Sequence, residues 1–153
     1  MSSHLKIWET WCRRVWKEQD ESAIDEMFIT EGMARGLGPH LRLATDRFQE
    51  HERIGPAGFK VFHKCFLALM NDIDIQVTHS MEAGDWISAL CVFHAKKNDT
   101  NEQVKMTGTV FLKIVDDKIV EAYNHWDFFS LFEQLGLIPE ESFERCLAGE
   151  SIV

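Results

Sequence analysis

Proline is scarce in this sequence: Pro39, Pro56 and Pro139 are the only three in 153 residues, and there is no low-complexity tract and no internal repeat. With 45% hydrophobic and 27% charged residues besides, disordered and collagen-like architectures are excluded. Basic charge is also short. Lys and Arg total 16 against 25 Asp and Glu, a net charge of −9. With no basic stripe the chain lacks the electrostatic footprint of a nucleic-acid binder. It also lacks the polybasic cluster that would hold it on an anionic membrane. No apolar run approaches the ~18 residues that a membrane span needs, and the N-terminus offers no uninterrupted apolar stretch of the kind found in signal peptides. Cys12, Cys65, Cys91 and Cys146 stand far apart, with no CxxC and no His at zinc-finger spacing. They read as reduced thiols used as small apolar residues, and a cytoplasmic protein is expected.

What the chain does have is the balance of a globular protein, 45% hydrophobic and 27% charged residues. The expectation is a single domain, residues 1–153, that buries about two-thirds of its unfolded surface. From Leu5 to Lys17, Leu5, Ile7, Trp8, Trp11, Cys12, Val15 and Trp16 recur at gaps of three and four. This spacing predicts an amphipathic helix with an aromatic face. Ala23, Ile24, Met27 and Phe28 suggest a shorter second helix. From Thr30 to Glu52 periodicity fails, and Gly32, Gly36, Gly38 and Pro39 crowd a stretch that carries Arg35, His40, Arg42 and Arg47. It reads as a long loop or broken strand. A third helix opens at Gly55-Pro56 and carries Phe59, Phe62, His63, Phe66 and Met70, with Asn71-Asp72 as its stop.

Strand signals come next, separated by turns at Ala83-Gly84-Asp85, 96–102 and Asp116-Asp117, and the last strand runs from Lys118 to Trp126. A short helix over Phe128 to Leu135 ends at Gly136. Helices first and an antiparallel meander second predict an α+β fold. N-terminal helices pack on one face of a strongly curved, mainly antiparallel sheet, forming a cone whose mouth can hold a ligand.

The C-terminal run Lys118-Ile119-Val120-Glu121 through Trp126-Asp127 to Gln134-Leu135-Gly136 resembles the signature of the SnoaL-like polyketide (ester) cyclases of the nuclear transport factor 2-like superfamily, a cystatin-like cone fold. Met106-Thr107-Gly108, the Gly84-Asp85 turn and Gly36-Leu37-Gly38-Pro39 are similar to further pieces of that pattern. The sequence departs from it at Val92-Phe93-His94-Ala95-Lys96, which keeps a His without the family's glycines, and at Asp117-Lys118. The resemblance implies a small apolar or polyketide-like ligand with a carbonyl group, no cofactor, and an intramolecular aldol closure in which one carboxyl group removes and returns a proton. It also implies a homodimer, for which Val110, Leu112 and Ile114 are expected to supply a second apolar face.

Asp127 is the candidate general acid/base. It succeeds Trp126 and precedes Phe128 and Phe129, and desolvation among rings would raise its pKa toward the working range. The alternative is an N-cap of the terminal helix. His125 and Tyr123 share its face on a regular strand, His125 as a second catalytic candidate to polarise a carbonyl or orient the carboxylate and Tyr123 to donate to an oxyanion. Asn124 and Trp126 then point away, unless a bulge reverses the phase. His79 and His94 are candidate ligand-binding residues on neighbouring strands, and Trp11 and Phe62 are candidate pocket walls. No HxH or HxxxH pair occurs, so no metal site is expected. His63, among Phe59, Phe62 and Phe66, reads as a core or rim residue. Two function classes stand: a cofactor-independent enzyme using Asp127, and a non-catalytic ligand-binding or dimeric association module. A carboxylate inside a closed apolar cavity marks the first. A solvent-facing cap, or an exposed apolar sheet face, marks the second.

Overall fold

The computed structural model describes residues 3–37 and 55–153. Helix α1 (His4–Trp11) is N-capped by Ser3, whose side chain accepts the N–H of Lys6. It runs on into a π-helical turn over Cys12–Lys17. Then come α2 (Ser22–Met27), β1 (Phe28–Arg35), α3 (Pro56–Leu69), β2 (Met70–Ala83), β3 (Trp86–Lys97), β4 (Gln103–Val115), β5 (Lys118–Trp126), α4 (Phe128–Gln134) and α5 (Ser142–Leu147). The five strands form one sheet in the order β1-β5-β4-β3-β2. Every pairing is antiparallel except β1 with β5. The α+β architecture expected from the sequence is the one observed. No helix among the described residues is long and apolar enough to cross a membrane.

Burial alternates along β3 and β4, and Ile87, Ala89, Cys91, Phe93, Val104, Met106, Val110, Leu112 and Ile114 all face the helices. Each large aliphatic side chain fully buried this way contributes about 1.5–3 kcal/mol. Val110, Leu112 and Ile114 are each 1% exposed. They are core residues and do not form a second apolar face. The pleat assigns that outer face to their neighbours, Thr109, Phe111 and Lys113.

Two local expectations are corrected. Phe28 does not extend the second helix: it starts β1, so α2 ends one residue early, and from Thr30 to Arg35 the stretch is the broken strand of the two alternatives rather than the loop. A register shift between Phe28 and Met33, with Gly32 inside it, breaks the alternation that would have announced a strand. Asn71-Asp72 does not stop a helix either. The backbone turns extended at Met70, and Asn71 and Asp72 lie in β2, at a register shift where Asp72 takes φ 51°. The C-terminus of α3 is capped from the β3–β4 loop, where the Asn98 side chain donates to Leu67 O and its backbone N–H to Leu69 O. Gly38, Pro39, His40, Arg42 and Arg47 lie outside the described residues.

Candidate functional site

The sequence places aromatic residues on every element that faces the sheet. Trp8, Trp11 and Trp16 come from α1 and its π-turn, Phe59, Phe62 and Phe66 from one face of α3, and Phe128 from the first turn of α4. Together with Phe93, Met106 and Trp126 of the sheet they enclose a cavity. The rings meet mostly edge to face: Trp11–Phe59 at 5.1 Å, Trp16–Phe62 at 6.2 Å and Phe66–Phe128 at 6.0 Å. That is the arrangement their quadrupoles favour. The cavity volume is about 40 Å³, which exceeds the ~10–15 Å³ that holds one water. The cavity therefore takes a small molecule as it stands, and a multi-ring molecule only if the walls repack.

The π-turn sets the position of one wall. His63 of α3 is 2% exposed and donates from Nε2 to the Val15 carbonyl at 2.7 Å, while its ring lies edge-on to Trp16 at 5.0 Å. Of core and rim, His63 takes the core, and it ties the π-turn to α3 behind Trp16.

Strand β5 decides which polar groups reach the cavity. Ile119 faces the core opposite Ile114, and Glu121 pairs with Lys113, so Val120 is an extra residue in the ladder. A one-residue bulge flips the phase of everything beyond it. Ala122, Asn124 and Trp126 therefore point inward, and Tyr123 and His125 outward. Asn124 is 8% exposed and, the tryptophan indoles aside, is the one polar side chain among the described residues that line the cavity. Its Nδ2 donates to Arg35 O at 3.1 Å across the β1–β5 junction, and its Oδ1 receives the Trp126 indole N–H at 3.5 Å. Gly36 makes this approach feasible. It has φ +83°, and a Cβ there would sit 1.7 Å from Asn124 O.

The expected catalytic pair is placed elsewhere. Asp127 is exposed, and its Oδ1 accepts the Ser130 N–H at 3.1 Å as the N-cap of α4. Its carboxylate is not among the cavity-lining groups, and neither is that of any other residue described. His125 is exposed on the outer face, paired with Thr109. Tyr123 is on the same outer face and donates its hydroxyl to Glu121 Oε1 at 3.0 Å, which raises its pKa above the ordinary value. His94 is exposed on β3, in a polar groove with Lys17, Asp74 and Lys105, and His79 is exposed on β2 beside Thr78. Tyr123, His125, His94 and His79 miss the cavity because each lies on the outer phase of its strand, and Asp127 because it lies past the end of β5 as a helix cap. Trp11 and Phe62 line the cavity. Among the described residues no three His, Cys, Asp or Glu side chains group to hold a metal.

The thiols near the cavity are poor nucleophiles. Cys12 and Cys91 are buried and unbridged, and burial raises the pKa of both. The Trp8 indole donates to Cys91 Sγ at 3.4 Å.

Asn124 is the residue that sequence reasoning set aside. The signal for it was the strand phase, and the bulge at Val120 carries no Gly or Pro to mark it.

The family model described as SnoaL-like polyketide cyclase matches residues 6–135. Among curated proteins none matches. Solved structures share the fold. A protein from Acidithiobacillus ferrooxidans, proposed to be a polyketide cyclase, is 21% identical, with a TM-score of 0.69 over 90% of this chain and 97% of its own. IdmH from Streptomyces antibioticus, likewise proposed to be a polyketide cyclase, is 18% identical, with a TM-score of 0.69 over 84% and 96%. A protein of ketosteroid isomerase-like fold from Catenulispora acidiphila is 13% identical, with a TM-score of 0.69 over 88% and 95%.

Proposed function

The chain belongs to the SnoaL-like polyketide cyclase family, and on that premise we propose that it binds a small apolar, carbonyl-bearing molecule in the aromatic cavity, held by Asn124, as a binding module without acid–base turnover by Asp127. One observation carries this reading: the described lining holds no acid or base, and apart from the indole N–H groups of its tryptophans its polar group is a single carboxamide. An amide can donate an N–H to a ligand carbonyl, and it has no proton to exchange near neutral pH. One Nδ2 hydrogen is spent on Arg35 O, and among the described residues the other is left for the occupant. Rings supply the remaining affinity through apolar burial, with orientation fixed by one polar contact.

The test uses acetophenone and ethylbenzene as probes, monitored by tryptophan fluorescence. The ketone binds more tightly by a factor of about three to ten, the worth of one hydrogen bond. Asn124→Leu removes that preference, while Asp127→Asn keeps it. Equal binding of the two probes by the native protein would overturn the role of Asn124. Deuterium exchange into the acetophenone methyl group that depends on Asp127 would restore the enzymatic reading.

The same proposal includes a homodimer through the outer sheet face. Trp86 stacks on Phe111 there at 4.7 Å and 14°, and Phe111 and Leu90 are 46% and 41% exposed. Sedimentation of Phe111→Lys checks this part: the variant is expected to be monomeric.

A further inference from the structure

The family match ends at residue 135, and beyond it the chain turns back into helix α5, which packs on α4 and displays apolar side chains in an acidic setting. Helix α5 is fixed against α4 in two ways. Glu133 Oε1 accepts the Phe143 N–H at 2.9 Å, and the Phe143 ring meets Phe129 edge to face at 6.1 Å. Ser142 at its start is fully buried and donates its hydroxyl to Pro139 O. Held this way, α5 presents Phe143 and Leu147 one helical turn apart, on one face. They are 57% and 78% exposed, and Phe129 beside them is 36% exposed. Large apolar side chains kept in water by an ordered element mark an interaction site.

Charge selects the occupant. From Asp127 to Val153 the chain carries six carboxylates, Asp127, Glu133, Glu140, Glu141, Glu144 and Glu150, and one cation, Arg145. That cation is already committed, with Nε and Nη2 on Glu150 Oε1 at 3.1 and 2.9 Å. Glu140 and Glu144 flank Phe143 along the chain, and Glu144 stands one turn from Leu147. A second copy of this surface would bring like charges together, and an anionic bilayer would be repelled. We propose that the Phe129–Phe143–Leu147 surface docks a cationic amphipathic helix of a partner protein, its apolar side on the three side chains and its Lys or Arg side chains on the surrounding glutamates. This is the helix-on-apolar-surface mode of recognition, with charge setting the choice of partner.

The probe is a synthetic amphipathic helix of Leu and Lys, labelled for fluorescence anisotropy, against the same peptide with Glu for Lys. The cationic peptide is expected to bind, more weakly as salt rises, and the acidic one not to bind. Phe143→Ser combined with Leu147→Ser leaves every charge in place and is expected to weaken binding at least tenfold. Circular dichroism and the urea midpoint confirm that this variant is folded. If it binds the cationic peptide as well as the native protein does, the attraction is diffuse charge alone and the proposal fails. It fails as well if the native protein binds neither peptide, or if sedimentation shows that the two substitutions abolish self-association.

Discussion

Asp127 Oδ1 accepts the backbone N–H of Ser130 at 3.1 Å, which makes this carboxylate the cap of helix α4 and keeps it on the protein surface. An N-cap side chain satisfies one of the otherwise unpaired N–H groups of a helix start, and its loss to Ala costs about 1 kcal/mol. Asn caps about as well as Asp. Asp127→Ala is therefore expected to lower stability by about 1 kcal/mol in urea denaturation, and Asp127→Asn by only a few tenths. Neither substitution is expected to change the affinity for acetophenone by more than about twofold, since the carboxylate is not a cavity wall. A tenfold loss of affinity in Asp127→Asn, with the urea midpoint unchanged, would return Asp127 to the binding site.

Gly108 lies opposite Trp126 across the β4–β5 ladder. A Cβ at Gly108 would sit 2.3 Å from Trp126 Cε3 and 2.9 Å from His125 O, so the indole lies directly over the glycine. That absent side chain lets Trp126 lie flat and form part of the cavity wall. Gly108→Ala is expected to cost about 1–3 kcal/mol through overpacking and to push the indole into the cavity, weakening probe binding. Adding Trp126→Phe, which shortens the ring system, is expected to recover part of the stability. A Gly108→Ala variant with native stability and native affinity would show that the indole moves aside without constraint.

The sequence disclosed these elements unevenly, and the residues show why. Trp8, Trp11 and Trp16 recur at helical spacing, Ile73, Ile75 and Val77 alternate with polar residues, and Trp86 to Ala95 is rich in β-formers, so the helices and the central strands could be read directly. Strand β1 was legible only as one of two alternatives, a loop or a broken strand, because Thr30, Glu31 and Gly32 fall where its pairing with β5 slips register. The cavity walls Trp11 and Phe62 were legible because an apolar face must turn inward on any helix. The polar group was not. Whether Tyr123 and His125 or Asn124 faces the cavity depends on one extra residue at Val120, and a bulge of this kind is fixed by the tertiary pairing with β4. Beyond Pro139 the charge of Glu140, Glu141, Glu144 and Glu150 stands in the sequence itself, whereas the exposure of Phe143 and Leu147 needed the packing of α5 on α4.

Asp20 joins the π-turn to α2 and makes the fold sensitive to acid. Its carboxylate accepts from the Ser22 hydroxyl and N–H and from Arg14 Nε and Nη2 at 3.2 and 2.7 Å, and Arg14 also reaches Glu26 at 2.6 Å. The Ser22 hydroxyl bond is the largest reason that the Asp20 pKa lies below the usual carboxylate range, with the Arg14 bonds second. A depressed native pKa means that the unfolded chain takes up the proton first as pH falls. The stabilisation is complete above the ordinary aspartate range and is lost as pH drops through the lower, native value. Asp20→Asn cannot titrate, so its stability deficit against the native protein is expected to shrink steadily as the solution is acidified below that range. Urea midpoints of both proteins across an acid series measure this. A deficit that stays constant with pH would mean that the Asp20 charge contributes nothing and that only the geometry of the turn, which an amide can reproduce, holds the junction. Because both partners are part-exposed, raising the salt concentration is expected to reduce the Arg14 share and leave the Ser22 share.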